Sequence, residues 1–557
     1  MASASLSDGR AKSKRDVWTI ISLMLLGLFI LFMIYPLFIL LKNSVINNEG
    51  TFTIDYFVKF LSRSYYLETI ANSFKVSLCA TLLTLVIGVP LAYFYGMYKI
   101  KGASFLQIVI ILCSMSAPFI GAYSWILLLG RNGLVTSFIK DIFGFKMPSI
   151  YGFGGIMLVL CLQLFPLVFL YVSGAMKNID NSLLEASENM GCSGIRRFFK
   201  VVIPLCAPTI IAATLMVFMR AFADFGTPLF IGEGYRTFPV EIYNSFMSEI
   251  GNDQHFAAAV SVIAIAITTV IFLFQRIVNN KFQFTMNALH PIEKKEINGI
   301  KSFLIHLYCY GVVFIAYAPQ LYVIYTSFQN TSGKLFVEGY SLNSYTEAFG
   351  KLGNAIPNTF FIGGFALLLV VVISVLVAYL VVRRDTFITK IIDTLSMIPY
   401  VIPGAVVGIS LVIAFNKKPL VLVGTSIIMI VALVIRRSAY TIRSSVATLQ
   451  QIPMSIEEAA ISLGCSKIKA FVKVTIPMMA NGVISGALLS WITIITELST
   501  GIILYNYKTI TLTIQIYTYV SRGNYGIAAA MSTILTLMTT VSLLLFMKLS
   551  KNKDIAF

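Results

Sequence analysis

Two twenty-residue segments of the sequence carry charged and small residues at the same spacing. The first, EASENMGCSGIRRFFKVVIP, covers residues 185–204, and the second, EAAISLGCSKIKAFVKVTIP, covers residues 458–477. They align without a gap, and no hydrophobic periodicity forces the agreement between them. Each begins with a glutamate, which can pair with a basic group of a partner, and has a glycine six residues later. This chemistry is that of charge recognition by a short helix.

Catalytic and metal-binding patterns are absent from the sequence. The seven cysteines show no CxxC spacing, and the three histidines belong to no HExxH motif. No GxSxG nucleophile motif and no GxxxxGK[ST] phosphate loop occurs either. We therefore expect no catalytic residue, no metal site and no cofactor in this chain.

Two further acidic residues, Asp224 and Glu497, are separated by the same 273-residue interval as the repeated segments. Both lie in apolar surroundings, where a carboxylate is costly and functional by default. One interpretation is that they serve the function of the protein. The other is that they tie helices together. Arg220 lies four residues before Asp224 and could neutralise it, whereas Thr493 occupies the equivalent position before Glu497.

The composition shows which elements must position these residues. Hydrophobic residues make up 57% of the chain and charged residues only 12%, whereas soluble domains average about a quarter charged residues. Apolar stretches of about 20 residues, the length needed to cross a bilayer, recur along the chain. We predict an all-α integral membrane protein with about twelve spans, near residues 17–41, 70–97, 105–130, 151–175, 205–231, 256–276, 303–327, 357–382, 389–415, 419–436, 478–505 and 526–548.

The distribution of lysine and arginine predicts the orientation of these spans, because cationic loops tend to stay cytoplasmic. If the amino terminus is inside, most of the 42 Lys and Arg residues are cytoplasmic, among them Arg196, Arg197, Arg436 and Arg437. Both termini are then inside. The net charge of +18 is mainly a signal of topology and of attraction to anionic lipid, and nucleic-acid binding is the less favoured interpretation.

The chain divides into two similar halves. A segment beginning at Asn72 resembles one beginning at Asn358, and the repeated glutamate-containing loops follow in the same order. An internal duplication with equal parity of spans gives parallel halves. Two equivalent loops on one side fit a symmetric partner such as a dimer. The predicted segments are an amino-terminal tail, span and outer loop at 1–67, a first transmembrane domain at 68–276, a linker, span and outer loop at 277–353, a second transmembrane domain at 354–548 and a tail at 549–557.

Each repeated loop is predicted to form two short helices joined at a glycine. Helix formers follow Glu185, and Gly191 ends the first helix. In the second helix an apolar stripe lies beside cations, with Ile195, Phe198, Phe199 and Val202 in one copy and Ile468, Phe471, Val472 and Thr475 in the other. A single copy could be an amphipathic connector at the membrane surface. Two copies at equivalent places favour a docking role.

The two loops resemble the cytoplasmic signature of permease subunits of binding-protein-dependent ABC importers. That signature is E-A-A, three residues, G, nine residues, then I-x-L-P. Ser187 replaces its second alanine, valine replaces its isoleucine, and isoleucine replaces its leucine. The matching residues are Glu185, Ala186, Gly191, Val201, Ile203 and Pro204 in the first copy and Glu458, Ala459, Ala460, Gly464, Val474, Ile476 and Pro477 in the second.

The resemblance implies the type I ABC importer permease fold in a bacterial inner membrane. Each loop would be a coupling helix seated on one subunit of a cytoplasmic ATPase dimer, which would bind the ATP and Mg²⁺ because this chain has no phosphate loop. An extracytoplasmic binding protein would deliver the substrate for alternating access. Asp224 and Glu497 would then either line or shape the translocation path near an outer gate or tie helices together. The segment beginning at Ser114, SMSAPFIGAYSWILLLGRNG, looks most like ferric-iron permeases. Aminoethylphosphonate, thiamine and polyamine permeases remain alternatives. A secondary transporter is disfavoured, because carboxylates in or beside spans are few, namely Asp224, Asp393 and Glu497.

Overall fold

A computed structural model describes residues 17–47, 49–115, 118–145, 147–247, 253–281, 290–333 and 335–549. Residues 1–16 at the amino terminus, residues 550–557 of the predicted tail 549–557 and residues 282–289 of the linker lie outside these ranges. The described chain is helical apart from one antiparallel hairpin, β1 Gln329–Ser332 and β2 Leu335–Tyr340. The prediction of an all-α fold is therefore confirmed.

In the described ranges fourteen α-helices precede the linker and twelve follow it. Those before it are α1 Val17–Phe29, α2 Tyr35–Val45, α3 Asp55–Ser62, α4 Ser64–Met97, α5 Ala103–Met115, α6 Pro118–Leu129, α7 Leu134–Phe143, α8 Phe153–Lys177, α9 Asn181–Asn189, α10 Gly194–Arg197, α11 Ile203–Phe222, α12 Gly226–Ile231, α13 Phe238–Met247 and α14 Gln254–Lys281. Those after it are α15 Gly299–Thr326, α16 Asn343–Leu352, α17 Ala355–Arg383, α18 Phe387–Val401, α19 Gly404–Phe415, α20 Ser426–Gln450, α21 Met454–Ser462, α22 Lys467–Ala470, α23 Ile476–Ile495, α24 Gly501–Leu504, α25 Leu512–Ser521 and α26 Tyr525–Leu549.

The helices repeat between the two halves. The bounds of α8, α9, α10 and α11 recur 273 residues later as α20, α21, α22 and α23. In the first half α4, α8 and α11 pack against one another, and in the second half α17, α20 and α23 do the same. The repeated segments of the sequence therefore occupy equivalent places in two similar helical bundles.

The part of the chain that the structure describes has nine to eleven candidate spans where the sequence predicted twelve, and the helix in place of the predicted span 419–436 has different bounds. Within the described residues nine helices are long and apolar enough to cross a bilayer, and two bent pairs raise the number to eleven. Helix α20 has 25 residues and is not among these eleven, although it is the equivalent, 273 residues later, of α8, which is. It begins at Ser426 and ends at Gln450 instead of covering 419–436. Its charged middle, which contains Arg436 and Arg437, hid its true length.

The placement of Arg436 and Arg437 among cytoplasmic residues was therefore wrong. They lie at the middle of α20, and Glu497 from the second repeated acidic position pairs with both guanidinium groups. A charged residue inside a span is tolerated when an opposite charge from another helix pairs with it. Loop charge alone gave no sign of this pairing, because the partners are far apart in sequence.

The second short helix predicted in each repeated loop is not a separate helix. Residues from Gly194 onward form the first turns of a continuous helix that reaches Phe222, and residues from Lys467 onward form one that reaches Ile495. These two spans therefore begin about three turns earlier than the apolar pattern indicated. Asp224 and Glu497 lie just beyond their other ends, in non-helical breaks before α12 and α24.

Three π-helical turns occur in the described helices, at Ile30–Ile34, Phe198–Val202 and Phe471–Thr475. Each turn ends two residues before a proline, namely Pro36, Pro204 and Pro477. Proline has no N–H, and its ring clashes with the carbonyl four residues earlier. The residue before the proline instead donates its N–H to the carbonyl five residues back, as in Ile203 to Phe198 and Ile476 to Phe471. The π-helical turn that both repeats share is thus caused by the proline that follows it.

Small residues allow close packing between neighbouring spans. A Cβ added at Gly486 would lie 2.7 Å from the Cα of Thr441, and one added at Gly88 would lie 2.7 Å from the Cβ of Val168. These contacts join α20 to α23 and α4 to α8. In a bilayer, helices associate through such close van der Waals packing and not through burial of apolar surface from water.

Candidate coupling loops and membrane ion-pair site

The first repeated loop begins with a capped helix. The side chain of Asp180 accepts a hydrogen bond from the Ser182 N–H at 3.0 Å, which stabilises the start of α9. Glu185 is exposed one turn later and accepts a hydrogen bond from the Asn181 side chain at 2.7 Å. In the second loop Glu458 is exposed at the equivalent place on α21. Both glutamates are accessible to a partner.

A glycine in the left-handed backbone region ends the short helix in each loop. Gly191 has a φ of +76° and Gly464 a φ of +91°. A residue with a Cβ is strained in this conformation, although neither glycine has a neighbouring atom within 4 Å of an added Cβ. The glycines are therefore required by the turn and not by lack of space. This agrees with the predicted glycine stop.

Large apolar side chains stand out from the two loops beside these glycines. Met190 is 81% exposed and Leu463 is 88% exposed, and they precede the two glycines at equivalent positions. Ile195, at the start of the first long helix, is also exposed. Exposed apolar side chains on these loops, away from the apolar surface of the spanning helices, form a surface suited to docking a partner. Of the predicted stripes, Val202, Phe471 and Thr475 are instead buried within the bundle.

The first loop is held by a salt-bridge group that the sequence analysis did not identify. The carboxylate of Glu188 lies 3.0 Å from Arg197 and 2.6 Å from Lys295. Lys295, followed by Arg197, holds the pKa of Glu188 below its ordinary value. Arg197 is buried, which the sequence pattern did not indicate. Its guanidinium turns inward because Glu188 and Tyr93 lie beside it.

The second loop is held by a different group. Glu457, next to the predicted Glu458, is buried. It accepts hydrogen bonds from Tyr379 and, at 3.4 Å, from Thr475, and it lies 3.7 Å from the Arg383 guanidinium. The equivalent residue in the first loop is Leu184, which is buried without such a carboxylate. The double glutamate was the only sequence signal for this anchor.

The linker between the halves binds to the first loop. The main-chain N–H of Asn181 donates to the His290 carbonyl at 2.9 Å, and the His290 N–H donates to the Asp180 side chain at 3.1 Å. The backbone of Lys295 exchanges hydrogen bonds with Met97 and Lys99. The two loops therefore have equivalent outer faces but different supports.

Asp224 lies in the break between α11 and α12. Its side chain accepts a hydrogen bond from the Thr227 N–H at 2.9 Å and so caps α12. Among the described residues no ion pair joins it to Arg220, although the spacing of four had indicated one. Arg220 faces the tyrosines Tyr171, Tyr400 and Tyr440 instead. The helix ends between Arg220 and Asp224, so the i,i+4 alignment of a continuous helix does not extend across them.

Glu497 lies at the centre of a buried polar group in the second half. Its carboxylate is 3.1 Å from Arg436 and also pairs with Arg437. The same Arg436 nitrogen donates to Ser499 at 2.7 Å and to Thr500 at 2.9 Å. The absence of a local cation at Thr493 is thus compensated by α20. This arrangement ties α20 to the break that follows α23.

At the end of the first half that lies away from its repeated loop there is a cavity of about 650 Å³. Glu241 on α13 lines it and is only 5% exposed, and the Tyr65 hydroxyl donates to this carboxylate at 3.2 Å. At the rim, Arg131 and Glu233 lie 2.5 Å apart. Acidic, basic and phenolic groups are thus mixed around the cavity. No grouping of three His, Cys, Asp or Glu side chains suited to a metal ion occurs in the described part of the chain.

Two parallel helical bundles, each with broken spans and an exposed, glycine-ended helix at the same place, define a transport subunit that spans the membrane many times. The chain belongs to the family of binding-protein-dependent transport system inner membrane components. The family matches residues 88–284 and 370–553, one segment in each half. The chain is therefore an ABC importer permease and a transport subunit, not an enzyme.

Similar proteins extend over nearly the whole chain. A ferric transport system permease protein FbpB of Actinobacillus pleuropneumoniae is 28% identical over 539 residues, which cover 95% of this chain and 77% of that protein. The putative ferric transport system permease protein FbpB 1 of Haemophilus influenzae is 29% identical, with 90% and 80% covered. A spermidine/putrescine permease, PotB of Haemophilus influenzae, is 27% identical but matches only 44% of this chain and 89% of itself.

Proposed function

We propose that this chain moves ferric iron across the bacterial inner membrane after delivery by an extracytoplasmic binding protein. The observation that carries the substrate assignment is the similarity to ferric transport permeases over 95% of the chain, through both halves. The polyamine and aminoethylphosphonate permeases match less than half of it. Two fused halves are therefore a feature shared with the ferric permeases among these relatives.

The repeated loops give this proposal its mechanism. Glu185, Ala186, Gly191 and Pro204 in one loop, and Glu458, Ala459, Ala460, Gly464 and Pro477 in the other, dock on the two subunits of a cytoplasmic ATPase dimer. Closure of that dimer around ATP and Mg²⁺ pulls both loops together. Because each loop continues directly into a long spanning helix, a movement of the loop is transmitted to the boundary between the halves.

The anchors of the loops support this transmission. Glu188 with Arg197 in the first loop, and Glu457 with Tyr379 in the second, fasten the short helices to the bundle. A docked loop can then move its spanning helix as a unit. Asp224 and Glu497 lie just beyond the far ends of the two spanning helices, α11 and α23, and shape the breaks near the outer gate.

Transport assays test the substrate. Proteoliposomes containing the permease and its ATPase, with the binding protein and ATP on the appropriate sides, should accumulate ⁵⁵Fe(III). A tenfold excess of spermidine, aminoethylphosphonate or thiamine should leave the uptake unchanged. Uptake of one of these compounds in place of iron would contradict the iron assignment and leave the permease class intact.

The absence of a phosphate loop leads to a prediction about hydrolysis. The purified chain alone should neither bind nor hydrolyse ATP, and activity should arise only when a nucleotide-binding subunit is added. Hydrolysis by the isolated chain, in a preparation free of other ATPases, would contradict the proposed division of labour. A luminescent ATP assay across a gel-filtration profile distinguishes the two outcomes.

The orientation of the chain is a separate prediction. Both repeated loops and both termini should face the cytoplasm, as the cation distribution indicates. Ser193 and Ser466 provide test positions when changed to cysteine in a background without Cys192 and Cys465. An impermeant thiol reagent should label them only after the cells are opened. Labelling in intact cells would contradict the orientation.

A further inference from the structure

The cavity at the end of the first half away from its repeated loop, here called the outer cavity, contains a buried carboxylate without an ion-pair partner. Glu241 lines this space and is only 5% exposed. Its carboxylate accepts hydrogen bonds from the hydroxyls of Tyr65 at 3.2 Å and Ser245 at 3.5 Å. Within the described ranges no lysine or arginine forms an ion pair with it, and Arg131 at the rim pairs with Glu233 instead. A buried carboxylate that contacts only neutral hydroxyls favours a cation that enters the cavity.

The backbone that supports this carboxylate is repeated in the second half. The side chain of Asn72 donates a hydrogen bond to the carbonyl two residues before α13, and that of Asn358 donates to the carbonyl two residues before α25. In both halves the bond joins the long span, α4 or α17, to the chain that leads into a short helix. Helices α13 and α25 have ten residues each and are therefore equivalent, and their fourth residues are Glu241 and Gln515.

The chemistry at this equivalent position differs between the halves. The Gln515 side chain is a neutral amide that donates to the main-chain carbonyl of Lys351 at 3.1 Å. Glu241 instead contacts the side chain of Tyr65, which corresponds to Lys351 at the same interval as the two asparagines. A neutral amide is therefore sufficient for this part of the fold. The negative charge of Glu241 serves a purpose other than folding.

The inner wall of the outer cavity borders the boundary between the halves. Helix α12 lines the cavity, and the ring of its Phe230 packs edge to face on Tyr517 of α25, with centroids 5.5 Å apart. The break that Asp224 caps directly precedes this helix. Ligand sites are typically cavities of about 300–1,000 Å³ with a few convergent polar groups, often at the boundary between structural units. The outer cavity, at about 650 Å³, fits this description.

The groups around Glu241 indicate the class of cation. Carboxylate and hydroxyl oxygens suit hard metal cations, and Glu241, Tyr65 and Ser245 present three such groups next to one another. No histidine, cysteine or methionine is among the described residues that line the cavity, so softer metal ions are not favoured. The Arg236 guanidinium lies over the Tyr65 ring, 4.9 Å from its centroid. Few ligands and a neighbouring cation keep the affinity low, which suits a site that must release its substrate.

We infer that Glu241, Tyr65 and Ser245 form an entry site in the outer cavity for a hard trivalent cation, which binds there before it passes between the halves. This inference rests on the proposed function, because it names where the transported iron(III) first binds this chain. The iron is cargo at this site and not a resident cofactor. Coordination by Tyr65 releases its hydroxyl proton to water, and Glu241 contributes a carboxylate oxygen. Water fills the remaining coordination positions.

Iron binding to the full chain in lipid nanodiscs tests the site. The probe is ⁵⁵Fe(III) nitrilotriacetate, and the variants are Glu241→Gln, Tyr65→Phe and the control Glu347→Gln. Glu241→Gln gives the first half the amide that Gln515 provides in the second, so the fold should be retained. Glu347 is an exposed carboxylate on α16, paired with Lys351 and outside the cavity. The wild type should bind iron saturably, and Glu241→Gln should weaken binding about tenfold or more, because an anionic ligand becomes neutral.

Absorption and competition show which groups bind the metal. Iron(III) bound to a phenolate oxygen has a visible charge-transfer band, which the wild type should show and Tyr65→Phe should lose. Gallium(III), which is also hard and trivalent, should displace the iron, whereas spermidine should not. Glu347→Gln should bind iron as the wild type does. Equal binding by Glu241→Gln and the wild type, or no saturable binding to the wild type, overturns the site. Binding of spermidine through Glu241 in place of iron also overturns it.

The inference and the proposed function can fail separately. If the wild type and Glu241→Gln bind and accumulate ⁵⁵Fe(III) equally, the entry site is refuted and the iron assignment stands. If the wild type binds iron through Glu241 but does not accumulate it in proteoliposomes, the iron assignment is refuted and the metal site stands. Thermal unfolding curves and retention of the ATPase, whose proposed docking loops lie at the other end of the spans, show whether each variant is intact. If Glu241→Gln is unfolded, the wild-type binding result and Tyr65→Phe decide.

Discussion

Glu497→Ala is expected to lower the stability of the permease more than any other single substitution considered for this chain. Its carboxylate pairs with Arg436 and Arg437 inside the membrane and is itself buried. Removing one partner of a buried ion pair leaves the other charge uncompensated and costs about 3–5 kcal/mol. The variant should show a lower unfolding temperature in detergent, or should fail to accumulate in membranes.

A matched substitution shows whether burial is the cause. Glu233→Ala removes a carboxylate from the Arg131 pair at the rim of the outer cavity, where both side chains are more than half exposed. Exposed ion pairs contribute about 0–1 kcal/mol, so this control should unfold close to the wild type. The unfolding temperatures can be compared by fluorescence-detected gel filtration after heating. If Glu497→Ala matches the wild type, the buried group does not hold α20 to the α23 break.

The double variant Glu185→Ala, Glu458→Ala should retain its fold and lose transport. Both side chains are exposed on the short helices of the repeated loops, so their removal disturbs little within the bundle. Truncation of a charge that meets a cation in a partly desolvated groove costs about 2–5 kcal/mol of binding free energy. The ATPase should therefore dissociate during purification. Each single variant should show a smaller loss.

The chain offers a matched control for this pair. Asn189 and Ser462 are exposed, lie on the same two short helices, and are related by the same repeat. Their double alanine variant should retain the ATPase and take up substrate at the wild-type rate. Substrate uptake and ATPase retention are measured together on membranes of both double variants. Wild-type values for the double glutamate variant would show that the loops are ordinary connectors.

The repeated loops were predictable because their information is local. A glutamate, a glycine in the left-handed region and a proline lie within twenty residues, and duplication makes the pattern visible twice. Glycine can adopt the left-handed backbone conformation of these turns because it has no Cβ. The lengths of the long helices were less predictable, since the polar first turns from Gly194 and Lys467 continue as helix without an apolar signal.

The internal ion pairs could not be derived from the sequence, because each depends on packing between distant segments. The paired residues Arg436 and Glu497 are 61 positions apart, and Tyr379 is 78 positions from Glu457, to which it donates a hydrogen bond. The rule that cations mark cytoplasmic loops placed Arg436 outside the membrane, and only the packing of α20 against α23 corrects it. Similarly, Arg197 turned inward because Glu188, nine residues earlier, lies across the glycine turn.

The claim that one chain supplies both halves of the transport path, with one ATPase subunit on each loop, is tested most directly by the stoichiometry of the intact complex. Native mass spectrometry of the complex released from nanodiscs gives this number. The predicted result is one permease chain with two ATPase subunits, falling to one ATPase subunit when either Glu185 or Glu458 is replaced under conditions that release a weakened loop. A wild-type complex with two permease chains, or with one ATPase subunit, would contradict the account.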